Sequence, residues 1–265
     1  MAHRIKLEIA YHGRAFRGWQ KQHGQPTVQG ELEAALMRLF GGQRIAIVGA
    51  GRTDAGVHAA GQVTHFDAPG EIPPQALVRG LNVRLPPEIR VLSARPVAAT
   101  FHARKSAQGK LYTYRARWRE AKLPWSEPRS ATVRKVADSA AFVAALELLP
   151  GRHDWASFTV PNPANQSTIR TLFSVRLRHR QDGFDLDFVG EGFLRYQVRR
   201  MVGALLEVGS RERRLDDLKR CIERPQPGMK IRTAPASGLC LEHVYYRACP
   251  ALTIGGAAAS TKTLW

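Results

Sequence analysis

Apolar and polar positions alternate from the first residues of the chain. Ile5, Leu7 and Ile9 interleave with Arg4, Lys6 and Glu8 over residues 4–10, which predicts a strand with one wet face. Residues 12–27, rich in Gly, Gln and Arg, read as a loop. The period then changes. Val28, Leu32, Ala35, Leu36 and Leu39 recur at helical spacing until Gly41-Gly42 stops them. A short apolar strand is predicted over 45–49 and another over 62–66. A helix opened by Pro73-Pro74 runs to about Leu81, and residues 89–97 return to strand.

Positions 98–110 read as a junction, and a comparable order resumes beyond it. Residues 111–119 alternate as a strand, and 133–148 carry a helical pattern. Residues 172–179 and 184–189 alternate on either side of Gln181-Asp182-Gly183, a hairpin signal. Val198, Met201, Val202, Leu205 and Leu206 share one side of a strong helix over 194–208. A shorter helix at 215–223 and a last strand at 239–246 complete the series. The expected architecture is α+β, two similar mixed antiparallel-sheet subdomains backed by helices. Residues 1–105 form the first domain and 106–250 the second. Residues 251–265, small and with few anchors, read as a flexible tail.

Composition narrows the function. The 265 residues are 44% apolar, as in a globular protein, and no run approaches the roughly eighteen apolar residues that span a bilayer. The N-terminal segment lacks the apolar core of a secretory signal, so the expected location is the cytoplasm, with no membrane partner. Cys221, Cys240 and Cys249 match neither a disulfide framework nor a common zinc spacing, and no metal is expected. Forty Lys and Arg against 22 Asp and Glu give a formal net charge of +18, which favours a polyanion, nucleic acid first. Many of these cations lie on the predicted elements. Arg115, Arg117 and Arg119 face away from Tyr112, Tyr114 and Trp118. Arg176 and Arg178 face away from Phe173, Val175 and Leu177. Arg195 and Arg199 fall four apart on the predicted helix. Such rows are either solvated faces or the two walls of a basic cleft wide enough for an RNA hairpin.

Against this background one acid stands out. Asp54 lies in Gly49-Ala50-Gly51-Arg52-Thr53-Asp54-Ala55-Gly56-Val57-His58-Ala59, directly after a predicted strand. Glycines allow a tight path and close approach by a ligand. Arg52 can hold the carboxylate charged and oriented. Two readings stay open from the residues alone: a turn cap with a surface partner, or a catalytic carboxylate serving a polyanion. The segment is neither a phosphate-binding Walker loop nor a dinucleotide fingerprint. No second carboxylate shares its glycine setting, which argues against hydrolysis of a glycosidic bond by an acid pair.

The stretch Gly51-Arg52-Thr53-Asp54-Ala55-Gly56-Val57-His58-Ala59 closely resembles the signature of the TruA family of transfer-RNA pseudouridine synthases. Further blocks follow in family order: Phe101-His102-Ala103-Arg104, Lys110-Leu111-Tyr112-Thr113-Tyr114, Phe193 to Gly203, and Ala234-Pro235-Ala236-Ser237-Gly238-Leu239. Phe16-Arg17-Gly18-Trp19-Gln20 resembles the family's first loop. The block before Tyr112 departs from the pattern, with Lys-Leu where the family usually has an arginine close by.

The resemblance implies the pseudouridine synthase fold and isomerisation of uridine to pseudouridine at positions 38, 39 and 40 of the transfer-RNA anticodon stem-loop. It implies a homodimer and no cofactor. By motif match Asp54 is the essential aspartate. Arg52 pairs with it and helps hold the flipped base. Tyr112 stacks on the uracil, Leu239 lies against the base, and Arg199 pairs with Asp54 or a phosphate. Arg195, Arg104, Arg17, Trp19 and His58 complete the expected substrate-binding set. Two other readings use the same residues: a catalytically silent RNA-binding module, and another aspartate-using RNA enzyme, including a pseudouridine synthase with a different target site.

Overall fold

The computed structural model describes residues 3–121, 129–161 and 167–247; the predicted tail at 251–265 lies outside them. The chain divides into two compact units, Met1–Ala107 with Ala236–Val244, and Gln108–Pro235 with Tyr245–Trp265. Among the described residues no helix is long and apolar enough to cross a membrane.

In the first unit β1 (His3–Tyr11) leads through a loop to α1 (Val28–Leu39). The Thr27 hydroxyl caps α1 by accepting from the Gly30 N–H, and Val28, Leu32, Ala35 and Leu36 form its buried stripe. Next come β2 (Val48–Gly49), β3 (His58–Ala68), α2 (Pro74–Arg84) and β4 (Ile89–Pro96). Pro74 opens α2 because a first-turn position needs no N–H, and Leu77 and Leu81 are its fully buried residues. β1 pairs antiparallel with both β3 and β4.

Two expectations change here. The predicted strand at 45–49 contracts to Val48–Gly49, which pairs with His65 and Thr64. The strand expected at 62–66 extends back to His58. β3 is central and buried on nearly its whole length although it carries His58, Gln62, Thr64 and His65, so its sequence shows no clean alternation to mark its ends. Nor is the second face of β1 wet throughout. Lys6 is buried, with the Phe101 ring 5.7 Å from its Nζ. Burial, and then the positive charge of Arg95, pulls the Lys6 ammonium below its ordinary range.

The second unit contains β5 (Gly109–Trp118), β6 (Ala131–Val133), α3 (Ser139–Glu147), β7 (Gly151–Asp154), β8 (Ile169–Arg180) and β9 (Gly183–Gly190). α4 (Gln197–Gly209) and α5 (Leu215–Glu223) follow. The order β5-β9-β8-β7 is antiparallel throughout, with β6 parallel to β5. The β8–β9 hairpin turns at Gln181–Asp182, and the Trp118 N–H donates to the Asp182 carbonyl at 2.7 Å. β7 escaped the sequence reading because Gly-Arg-His-Asp has no apolar alternation to betray it. The helix expected over 133–148 begins only at Ser139, where Asp138 caps it, and residues 131–133 join the sheet instead.

The last strand departs from the two-block division. β10 (Leu239–Tyr245) runs parallel to β3, with Cys240 opposite His58 and Leu241 opposite Ala59. Residues Ala236–Val244 therefore belong with the first unit. Sequence order alone places them in the second block; strand pairing returns them to the first.

Candidate active site

Asp54 lies in the loop that joins β2 to β3. Backbone contacts fix that loop more than side chains do. The Ala50 N–H donates to the Val63 carbonyl at 2.7 Å, and the buried Gln62 amide donates to the Gly51 carbonyl at 2.9 Å. A second loop, from Gly13 to Trp19, is laced against it. The Trp19 N–H donates to the Thr53 carbonyl at 3.1 Å, and the Gly56 N–H donates to the Phe16 carbonyl at 3.3 Å. Tyr11 Oη and Thr53 Oγ1 are 2.8 Å apart in a buried hydrogen bond. Burial raises the Tyr11 phenol above its ordinary range, with the Thr53 and Gln62 hydrogen bonds opposing the shift.

Gly18 shows why this pairing needs glycine. Its φ is +98°, and a Cβ there would sit 2.7 Å from the Thr53 carbonyl oxygen. The two backbones touch, so the Gly13–Trp19 loop holds the Asp54 loop in place. Within it Asp54 is half-buried, Thr53 is buried, and Arg52 and Ala55 are exposed. An acid that keeps one solvent-facing side beside an exposed guanidinium suits a group that meets a large anionic ligand.

The other expected residues of this unit separate into two sets. Arg17 and Arg104 are exposed and available to a ligand. Trp19 and His58 are not: they are 2% and 1% exposed. The Trp19 ring packs down on Gly49, where a Cβ would come within 2.6 Å of it, and so underlies the loop pair. His58 Nδ1 accepts from the Gly13 N–H at 3.2 Å, and its ring meets the His12 ring edge-on at 4.5 Å. Both residues shape the loops. Leu239, also buried, opens β10 one residue before the Cys240–His58 register pair.

In the second unit Tyr112 and Tyr114 are both buried. The Tyr112 ring meets Phe193 in a T-shaped contact at 5.3 Å. Burial pushes the Tyr114 phenol up, against the positive charge of Arg199. The helix expected from 194 begins at Gln197, so Arg195 precedes it. Tyr196 ends the approach in a left-handed conformation, φ 63°, which reverses the chain into α4. Its ring then gathers both cations: the Arg195 guanidinium lies 4.8 Å and the Arg199 guanidinium 5.3 Å from its centroid. Arg195 Nη2 also donates to Tyr196 Oη at 3.1 Å. The Arg199 Nε donates to the Ala234 carbonyl at 2.8 Å, and the Ala234 N–H returns a bond to the Arg199 carbonyl at 3.0 Å. The sequence analysis missed Tyr196, Thr53 and Tyr11. Only Tyr196 left a signal, an aromatic residue between two arginines.

The arginine rows on the sheet are partly neutralised. Arg117 Nη1 donates to Asp185 at 2.8 Å, Arg180 Nε donates to the same carboxylate at 3.0 Å, and Arg178 forms a two-bond fork with Asp187. Burial works to raise Asp185, but the Arg117 and Arg180 hydrogen bonds outweigh it and hold the carboxyl below its usual range. Among the described residues no group of three or more His, Cys, Asp or Glu could hold a metal ion.

Comparison with known proteins agrees with this arrangement of blocks. The sequence matches the family described as tRNA pseudouridine synthase over residues 9–104 and 145–247. A tRNA pseudouridine synthase A of Lactobacillus helveticus is 40% identical over 249 residues, covering 93% of this chain and 95% of the relative. The protein of the same name from Shouchella clausii is 37% identical over 243 residues, covering 92% and 93%. That from Latilactobacillus sakei is 38% identical over 249 residues, covering 93% and 100%. Both the family match and these relatives run through the Asp54 loop and the start of α4, and the chain belongs to the tRNA pseudouridine synthase family.

Proposed function

We propose that this chain isomerises uridine to pseudouridine at positions 38, 39 and 40 of the transfer-RNA anticodon stem-loop, with Asp54 as its essential carboxylate. The observation that carries the reading is the Asp54 loop: a half-buried acid two residues from an exposed arginine, on a loop fixed by backbone hydrogen bonds. The reaction breaks the bond from C1′ to N1 of uracil and forms one from C1′ to C5. N1 gains a proton and C5 loses one, so the product is an isomer and no water is consumed. That balance explains why one carboxylate suffices. The detached uracil must be retained and turned, a task for flat and apolar side chains. Tyr112 and Leu239 take that role, with Arg52 and Arg199 orienting the acid and the backbone of the RNA.

A uridine in a stem must leave the stack before the acid reaches its sugar, at a cost of about a few kcal/mol. Cations recover part of that cost by binding phosphate. Arg17, Arg104 and Arg195 are exposed and suit this role. The enzyme acts as a homodimer in the cytoplasm, without a cofactor.

A pseudouridine map of unmodified transfer RNA after incubation with the pure protein tests the reaction, the substrate and the position together. New pseudouridine at 38–40 is expected from the native protein. Asp54→Asn should abolish it while RNA binding stays within about threefold, since the amide keeps the shape and loses the charge. Turnover retained by Asp54→Asn would remove the assigned role. Modification confined to other sites would favour a synthase of different target.

A further inference from the structure

Residues 101–106 form a turn whose backbone bonding is unusual. Three consecutive N–H groups end on imidazole nitrogens. The Ala103 N–H donates to His65 Nδ1 at 3.1 Å, and the Arg104 and Lys105 N–H groups both donate to His102 Nδ1 at 3.2 Å. The ends close on each other, with the His102 N–H donating to Ser106 Oγ at 3.1 Å and the Ser106 N–H donating to the His102 carbonyl at 2.9 Å. The two rings lie 5.0 Å apart. The Nδ1 of His occupies the same place along its side chain as the Oδ1 of Asn. His102 therefore builds with an imidazole the turn that Asn or Asp builds with an oxygen.

The turn is anchored to the sheet beneath it. Arg4 forks onto Asp67 at 2.8 and 2.9 Å and also donates to the Ala99 and Phe101 carbonyls. The Phe101 ring meets His65 edge-on at 6.0 Å. On this base stand Arg104 and Lys105, both exposed, and among the described residues neither has a carboxylate partner. The sequence around them is also free of acids: no Asp or Glu occurs between Glu88 and Glu120. An aspartate at 102 would cap the turn equally well, but it would set a negative charge beside the two cations. An imidazole nitrogen that accepts these N–H groups orders the turn without adding a negative charge, and leaves the charge of the two cations for an external anion.

We infer that His65 and His102 are positioning residues of an RNA-binding surface, templating the turn that holds Arg104 and Lys105 against phosphates of the RNA. The inference rests on the RNA-modifying reading above and adds to it the element that orders these two contacts.

Three variants and one altered background test it, with binding to an anticodon stem-loop RNA followed by fluorescence anisotropy and turnover followed separately. His102→Ala should raise Kd and KM about tenfold with kcat little changed, the loss expected for charge-assisted phosphate contacts. His102→Asn should restore both to within about twofold, because its oxygen replaces the lost acceptor. His102→Asp should cap the turn yet bind RNA more weakly than His102→Asn. In an Arg104→Ala, Lys105→Ala background, His102→Ala should add nothing, because its effect runs through those side chains. The inference is overturned if His102→Asn binds as poorly as His102→Ala, if the loss persists in the double background, or if kcat falls while KM holds. Absence of pseudouridine from the native protein would instead defeat the functional reading, and the anisotropy series would still judge the turn.

Discussion

Two basic regions look alike in the sequence and differ in the folded protein. On β5 and β8 three of the cations are matched to acids of β9. Arg117 and Arg180 converge on Asp185, and Arg178 is forked on Asp187. In the 101–106 turn, among the described residues, Arg104 and Lys105 face no carboxylate, and their N–H groups end on the His102 imidazole. The first region uses its charge internally to hold a hairpin in register. The second holds its charge in reserve for a ligand. A net charge of +18 therefore overstates the binding surface in one place and conceals its focus in another.

The largest effect should come from breaking the matched region. The Asp185 side chain is 2% exposed and carries contacts from Arg117, at 13%, and Arg180, at 48%. Asp185→Ala removes the shared acceptor and leaves the charge of the largely buried Arg117 to the more exposed Asp182, 3.4 Å away. A fully buried pair would cost about 3–5 kcal/mol, and the half-exposed Arg180 reduces that to about 2–3 kcal/mol. Denaturant unfolding measures the loss. The folded variant should bind the stem-loop RNA as the native protein does. A tenfold weaker Kd at unchanged stability would mean that this face binds RNA and that the contrast is wrong.

Salt sharpens the same contrast. Each cation that neutralises a phosphate steepens the fall of log K with log salt by about 0.7 to 0.9. Arg104→Ala and Lys105→Ala should each flatten the slope by about that amount and weaken binding about fivefold at moderate salt. Arg178→Ala should leave the slope unchanged, since its guanidinium already has a carboxylate. Equal slope changes for Arg104 and Arg178 would erase the distinction.

Much of the fold was legible because periodicity reports burial. Val28 to Leu39 and Val198 to Leu206 announced their helices, and the hairpin at Gln181–Asp182 was visible from its turn and flanking alternation. The Asp54 motif was legible too, as chemistry framed by glycine. What failed were statements about partners. The alternation in β1 could not show that Phe101 would lie over Lys6. An indole beside Arg17 reads as a ligand contact until Gly49 makes room for it in the interior. The rows of arginine on β5 and β8 gave no sign that Asp185 and Asp187 of β9 would stand opposite them, because register is set by long-range pairing. Residues 101–106 read as a junction, since a turn ordered by imidazoles has neither apolar period nor turn glycines.

The smallest expected effect concerns the anchor of that turn. His65 is buried and meets several charged or titratable groups: Arg4 and Lys6 from β1, Asp67 from its own strand, and His102 from the turn, with Arg95 of β4 beside Lys6. Burial, then the positive charge of Arg4 and the neighbouring His102, pulls the His65 imidazole below its ordinary value of 6.5. Protonation at Nδ1 would also remove the acceptor for the Ala103 N–H. With the folded value depressed, the unfolded chain binds more protons in the window just below 6.5. The stability from neutral His65 is thus complete above that value and is lost as pH falls through the folded one. His65→Gln removes the titration. The stability gap between native protein and variant should be wider at pH 7.5 than at pH 5.5, by roughly 1 kcal/mol or less. Stem-loop affinity should narrow in parallel, because the same hydrogen bond seats Arg104. A stability gap that narrows while native affinity stays flat would confine His65 to holding the sheet and leave the turn to His102 alone.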